Sequence, residues 1–397
     1  MHKSLIKPIV GWDVGGAHLK AALLNSDGTL QKITQVPCAL WRGLDELKQA
    51  IDSISNDFLF TAQSDITHAI TMTGELVDLF DNRQQGVEAI SQVMETHLMG
   101  RKLFYTGAKA PDFSGFTSVN EVADCWKYIA SANWLASAAE IAIRMQSLPE
   151  KYQQGLLIDI GSTTADFIVL KDFKPVCDGL TDAARMQTEE LVYTGVVRTP
   201  LMAITQRVNF LGTPTSVAAE YFATTADVYR LTGDLDDGND MVDTADGQAK
   251  TILASAQRIA RMIGRDVGQT DGFKISENET REANETSEPN LESWIALAHA
   301  FKSKQLERLA EALQKHLANF SPENPLVILG AGAGCFLAKQ LAEKFELPFR
   351  DAASLIFEDS GSYINLHSKT NVCLPAAAVA LRAYSALQQH LPLNTTS

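Results

Sequence analysis

Two aspartate-led glycine turns constrain this chain more than anything else in it: Asp13-Val14-Gly15-Gly16-Ala17-His18-Leu19-Lys20 and Asp159-Ile160-Gly161-Ser162-Thr163-Thr164-Ala165-Asp166. Each follows an apolar strand, Ile9 to Trp12 or Leu156 to Ile158, sets a carboxylate at its end, turns on glycine and resumes an apolar run. The pattern predicts one β-hairpin used twice. At its tip backbone N–H groups can approach an anion closely, because glycine has no Cβ and tolerates φ > 0. Carboxylates repel bare phosphate, so a divalent cation is expected between them, and hard oxygen ligands point to Mg²⁺. The wide separation of the two turns makes the repeat one of domains. It predicts two domains facing each other across a phosphate-binding cleft.

Composition removes other classes. A formal net charge of −14 and the lack of any Lys/Arg run exclude a nucleic-acid partner, which needs a basic face. The N-terminus reaches a core strand too early for a signal peptide, and no apolar run approaches the roughly 18 residues of a membrane span. The expectation is a cytoplasmic protein with no membrane partner. Its five cysteines are odd in number and widely spaced, which predicts buried thiols instead of disulfides or a zinc site.

Along the first 150 residues strand and helix alternate, with a helix over Gly43 to Ile54 and a strand over His68 to Thr73. Thr73-Gly74-Glu75-Leu76 then stands where α/β sheets hold ligands, so Glu75 and Asp78 are either site residues or early acids of a helix. Asn133 to Met145 is an alanine-rich helix suited to close packing. In the second part, 151–397, the turn Thr194 to Pro200 carries Arg198, either an anion clamp or a surface residue. The acidic stretch Leu231 to Asp246 predicts a solvated loop, with a lid or second metal site as alternative, and Gln269 to Pro289 a polar insertion. An amphipathic helix carries Leu306, Leu309, Leu313 and Leu317. The strand Leu326 to Leu329 feeds Gly330-Ala331-Gly332-Ala333-Gly334, read as a third loop of the same cleft in preference to a dinucleotide site. A last helix, Pro375 to Gln388, is expected to return to the first domain.

Two Asp-Gly hairpins, a late Gly-Ala-Gly turn and a small-residue C-terminal helix, in that order, resemble the superfamily of acetate and sugar kinases, heat-shock chaperones and actin. The resemblance covers nearly the whole chain and implies an α/β fold of two actin-like (ribonuclease H-like) domains. Ile158 to Asp166 is similar to the hydantoinase A and oxoprolinase branch. Trp12 to Ala17, Thr71 to Leu76, Tyr193 to Pro200 and Thr244-Ala245-Asp246-Gly247 resemble the tetrahydromethanopterin-linked one-carbon-pathway proteins, which include a methanofuran-biosynthesis enzyme.

This resemblance implies alkyl transfer. The donor would be an aminomethylfuran-methanol diphosphate, the acceptor a phenol of a tyramine- or tyrosine-type glutamyl compound, and the products an aryl ether and diphosphate. Mg²⁺ on Asp13 and Asp159 would neutralise the leaving group, and Gly15, Gly16, Gly161 and Ser162 would cradle it. Thr163, Thr164, Lys20 and Arg198 would add hydrogen bonds or charge, with Gly330, Gly332 and Gly334 beside them. A phenol of pKa about 10 needs a base, for which Glu75, Asp227 and His18 are the candidates. Two rivals stay open: a kinase or lactam hydrolase that packs ATP or ADP against Gly330 to Gly334, and a nucleotide-switched partner protein without catalysis. A homo-oligomer is compatible with each.

Overall fold

All six residues of β1 (Ile9–Val14) are buried, the signature of a strand covered on both faces. The computed structural model describes residues 6–59, 65–149, 152–268, 291–320, 325–357 and 369–389. β1 pairs antiparallel with β2 (His18–Leu24) across a tight turn, and β2 with β3 (Leu30–Pro37). On its other side β1 pairs parallel with β4 (Thr67–Met72), which pairs parallel with β5 (Arg101–Gly107), and β6 (Gly115–Thr117) closes the edge. The order is β3-β2-β1-β4-β5-β6.

The same order recurs later in the chain. β7 (Gln154–Ile160) lies beside β8 (Ala165–Lys171), and β8 carries both β9 (Lys174–Val176) and β10 (Leu191–Val192) on its outer edge. β11 (Arg207–Phe210) and β12 (Thr213–Ser216) form a separate hairpin. β13 (Leu326–Ala331) then pairs parallel with β7 and with β14 (Phe349–Asp351). A central strand thus has a hairpin partner on one side and two parallel strands on the other, twice over. This is the duplicated ribonuclease H-like arrangement of actin-like α/β proteins.

Alanine explains how the two sheets share a core. The helices Asn133–Arg144 and Leu374–Gln389 pack on each other, and the second lies along β1, β2 and β4. One buried cluster joins Ala136, Ala138, Ala142, Ala376, Ala380 and Ala383 to Ile9 and Leu24 of the first sheet and to Leu157, Ile168 and Leu329 of the second. Small side chains let helix and strand backbones approach; a Cβ on Gly11 would stand 2.0 Å from the Ala376 carbonyl oxygen.

The chain divides into two compact units. One comprises Met1–Asp159, Asp166–Leu191 and Lys315–Ser397; the other comprises Ile160–Ala165 and Val192–Gln314. Both duplicated sheets have their cores in the first, so residue 150 separates two sheets and not two compact units. The second unit contains the helices Thr225–Thr232 and Ile252–Arg261 and most of Glu292–Leu317.

The acidic stretch in this second unit is exposed at Asp236, Asp237 and Asp243, as a solvated loop would be, and among the described residues it is part of no group of three or more His, Cys, Asp and Glu placed for a metal. Asp234, Asp240 and Asp246 are paired with basic neighbours. Asp240 pairs with Arg230 and Lys250, Asp246 with Arg258 and Arg261 at 3.1 Å each, and Asp234 with Lys302 at 2.8 Å. The polar insertion Gln269 to Pro289 lies outside the described residues. Cys38, Cys125 and Cys373 are buried free thiols, whereas Cys177 and Cys335 are only half-buried. No helix among the described residues is long and apolar enough to cross a membrane.

Candidate active site

Asp13 is the fifth residue of β1 and faces Lys20 of β2 directly across the hairpin. The Lys20 ammonium lies 3.5 Å from its Oδ2, and Asn133 Nδ2 lies 3.5 Å from its Oδ1. Burial pushes the Asp13 carboxyl above the ordinary carboxylate range, and Lys20 pulls it partly back. Burial likewise opposes the Lys20 charge, but Asp13, Cys373 and Asp159 outweigh it and hold the ammonium protonated. Lys20 is therefore placed just past the hairpin tip, directly across from the strand-end carboxylate.

The turn itself departs from the expected backbone. Gly15 and Gly161 both have ordinary negative-side φ, so the left-handed region is not what selects glycine. Their N–H groups close the two turns in the same way, Gly15 to the His18 carbonyl at 3.0 Å and Gly161 to the Thr164 carbonyl at 2.8 Å. Amides offered to an anion must come from the tip residues that follow. A Cβ at Gly161 would meet only the Thr164 carbonyl, at 3.7 Å, so the fold leaves open space there. Gly16 is different, since a Cβ would stand 2.8 Å from Val77.

Beside the first tip comes Glu75. The parallel register sets Met72 against Val14, and the Thr73 N–H continues the pairing to the Val14 carbonyl at 2.9 Å. Glu75 follows in the first turn of a single 3-10 helix, Gly74–Leu76, and is 1% exposed, so it is an early acid of a helix that is also buried. Its Oε1 accepts from Ser131 Oγ at 2.7 Å, and the same hydroxyl lies 3.3 Å from Asp182. Among the described residues its Oε2 has no hydrogen-bond partner. Burial pushes the Glu75 pKa up, with Asp182 adding to the shift and Ser131 and Arg83 opposing it. Arg83 binds Asp182 in turn. Neither Ser131 nor Asp182 was marked in the sequence. Ser131 has φ +50°, uncommon for a residue with a side chain, and only the fold reveals it.

Asp159 occupies in the second sheet the place Asp13 holds in the first. It is half-buried, at the end of β7, in register with Ala331 of β13, so the turn Gly330 to Gly334 begins beside it. Gly332 takes φ +81° and donates to the Asn371 carbonyl at 3.1 Å; Gly334 leads into the helix Cys335–Lys344. Burial lifts the Asp159 pKa to about 7, with Asp166 and Asp13 adding repulsion and Lys20 opposing it. Asp166 is bound by Arg185 at 2.9 Å, and that guanidinium stacks 3.8 Å from the Trp134 ring centroid.

Lys20 thus pairs with Asp13 and acts electrostatically on Asp159. Among the described residues no three His, Cys, Asp or Glu are grouped for a metal, so the protein ligands these turns could offer Mg²⁺ are the two carboxylates. That ion binds through one or two carboxylates together with substrate phosphates while keeping several waters.

The remaining predicted residues differ in what holds them. Asp227 caps the helix Thr225–Thr232 in a capping box with Thr224, and its Oδ1 accepts from Arg258 Nε at 2.8 Å and Ser255 Oγ at 2.9 Å. With its oxygens so committed, it is not available as a base. His18 is buried within β2, and its carbonyl closes the first turn. Arg198 is exposed, near Tyr221, and its backbone N–H binds the Ser162 carbonyl at 2.9 Å. Ser162 Oγ and Thr163 Oγ1 lie 3.4 Å apart on the half-buried second tip, which Thr164 completes.

The duplicated sheets and strand-end aspartates define a protein of the actin-like class. The sequence model of the hydantoinase/oxoprolinase family matches residues 67–354, and the chain belongs to that family. Two curated relatives, from Methanocaldococcus jannaschii and Methanococcus vannielii, carry the name (4-{4-[2-(gamma-L-glutamylamino)ethyl]phenoxymethyl}furan-2-yl)methanamine synthase. The first is 29% identical over 259 residues, covering 65% of this chain and 72% of the relative. The second is 35% identical over 114 residues, which span 29% of this chain and 51% of the relative. Among solved structures, a ROK family glucokinase from Streptomyces griseus matches with TM-score 0.43 and 11% identity, covering 94% of this chain and 98% of that one.

Proposed function

We propose that this protein is a transferase of methanofuran-type cofactor synthesis. It joins an aminomethylfuran-methanol diphosphate to the phenol of a tyramine- or tyrosine-type glutamyl compound, giving the aryl ether and diphosphate. One observation carries the reading: each duplicated sheet ends its central strand in an aspartate, and Lys20 acts on both carboxylates. The names of the two relatives support the same product class, a furan joined through CH₂–O to a phenyl ring.

In the reaction the carbon–oxygen bond to diphosphate breaks and its electron pair leaves with the diphosphate. The phenol oxygen forms the new bond to that carbon and gives up its proton. Mg²⁺ held by Asp13 and Asp159 would supply the positive charge that stabilises a leaving diphosphate. Lys20 adds a fixed ammonium, and the turns after Asp13 and Asp159 supply amides. Glu75 takes the phenol proton. A buried carboxylate of raised pKa is a stronger base than an ordinary one, and its Oε2 is uncommitted among the described residues.

A melting-temperature panel of inorganic diphosphate, ADP and ATP, each with and without Mg²⁺, tests this reading. Diphosphate with Mg²⁺ is expected to raise the melting temperature at least as much as ATP with Mg²⁺, because a ligand that binds only the folded state stabilises it by mass action. A large shift with ATP and none with diphosphate would replace this reading with a kinase.

A further inference from the structure

The second turn, Gly161 to Thr164, is held by the Thr194–Thr199 loop through backbone hydrogen bonds. The Val196 N–H binds the Gly161 carbonyl at 3.1 Å, and the N–H groups of Val197 and Arg198 bind the Ser162 carbonyl at 3.1 and 2.9 Å. In a trans peptide the C=O and the next N–H point opposite ways. With both carbonyls drawn to the loop, the N–H groups of Ser162 and Thr163 face away from it, side by side. Two successive amides on one side make an anion-binding concavity.

The loop is itself fixed by buried polar groups. Gln305 donates through Nε2 to Thr194 Oγ1 at 2.8 Å and to the Gly195 carbonyl at 2.9 Å, and accepts from Tyr229 Oη at 2.5 Å. It is 1% exposed, a polar side chain at helical spacing with the buried Leu297, Phe301, Leu309 and Leu313. The Gly195 N–H goes to Thr199 Oγ1 at 2.8 Å. From the other end, the N–H groups of Thr225 and Ala226, in the first turn of a helix, bind the carbonyls of Thr199 and Val197 at 2.9 and 3.2 Å. Gly195 also touches the phosphate turn directly. A Cβ there would stand 2.4 Å from both the Ser162 carbonyl carbon and the Thr163 nitrogen.

We propose that Gln305 is a positioning residue for anion binding: through the Thr194–Thr199 loop it locks the peptide planes that aim the Ser162 and Thr163 amides at diphosphate. This rests on the diphosphate reading above and adds the device that prepares the site. A buried glutamine with both its donor hydrogens and its oxygen engaged is a costly feature of a helix core, since removing it strands its partners. Here those partners lead directly to the turn.

The test is calorimetric titration of inorganic diphosphate with Mg²⁺ into the full chain, its Gln305→Met variant and its Gly195→Ala variant, with cooperative unfolding checked for each. Gln305→Met removes the hydrogen bonds at similar length; Gly195→Ala keeps the Gln305 side chain and pushes a Cβ into the Ser162–Thr163 peptide. Both are expected to weaken diphosphate binding about tenfold or more, and amide exchange over residues 161–164 is expected to accelerate in Gln305→Met. Wild-type binding that both folded variants retain would overturn the positioning role alone. A wild-type chain that binds no diphosphate would overturn the functional reading and this proposal with it.

Discussion

Replacing Asp159 by asparagine should make the apo protein more stable, and increasingly so as pH rises. The carboxyl has an ordinary pKa of 3.8 and is raised to about 7 in the fold, first by burial and then by Asp166 and Asp13. A folded pKa above the unfolded one means the stabilising contribution is complete below the unfolded value and is lost as pH rises through about 7. Fully developed, that loss approaches ~4 kcal/mol at 1.36 kcal/mol per pH unit. The asparagine amide keeps the shape of the carboxyl without titrating. The advantage of Asp159→Asn over wild type, read from urea unfolding free energies without divalent ions, should therefore grow by about 2 to 3 kcal/mol between roughly pH 5 and pH 8. Mg²⁺ with diphosphate should shrink the difference at the higher pH, because only wild type retains both carboxylates for the metal. An advantage that stays flat with pH, or falls, would refute the claim that Asp159 is held in an unfavourable charged state.

Other outcomes are equally specific. Lys20→Ala should weaken diphosphate-donor use by roughly 1 to 3 kcal/mol, the scale of a charged hydrogen bond; steady-state kinetics with unchanged parameters would return Lys20 to a purely structural pairing with Asp13. Gly161→Ala should fold normally and lose diphosphate affinity, since its Cβ meets protein only at 3.7 Å, whereas Gly11→Ala should lose several kcal/mol of stability because its Cβ stands 2.0 Å from the Ala376 carbonyl oxygen. Comparison of their melting temperatures checks this, and equal losses would contradict it. Glu75→Gln should lower kcat by roughly 10²-fold or more and abolish the acidic limb of the pH–rate profile; a profile that keeps that limb would assign the base elsewhere.

Much of the architecture was legible because burial and periodicity agree. The strands at Ile9, His68, Leu156 and Leu326 are apolar runs bounded by glycine or threonine turns, and each forms at or within a few residues of its predicted bounds. The alanine-rich helices were visible by composition, but that they are shared by two sheets is a tertiary fact that no local pattern encodes. The site was legible only in part. Asp13 and Asp159 announce themselves because a carboxylate at the end of an apolar strand is out of place there. Asp227 looked equally chemical; its capping box with Thr224 is a local pattern, but its partners Ser255 and Arg258 lie on another helix, so its full commitment was hidden. Ser131 and Asp182 meet Glu75 only across the folded chain. Gln305 did leave a trace, as a polar residue in phase with Phe301 and Leu309. Of the two reasons for glycine in these turns, left-handed backbone does not apply at Gly15 and Gly161, whereas the missing Cβ leaves open space at Gly161.

The most direct measurement is the reaction itself: purified protein with Mg²⁺, an aminomethylfuran-methanol diphosphate and a γ-glutamyl tyramine acceptor, followed by mass spectrometry of the organic product and quantitation of released diphosphate. Stoichiometric aryl ether and diphosphate are expected without added nucleotide, and both should fall about 10²-fold or more in Asp13→Asn and in Asp159→Asn. No ether in the absence of ATP, or ether formation that either substitution leaves intact, would contradict the assignment of the paired aspartate hairpins to diphosphate departure.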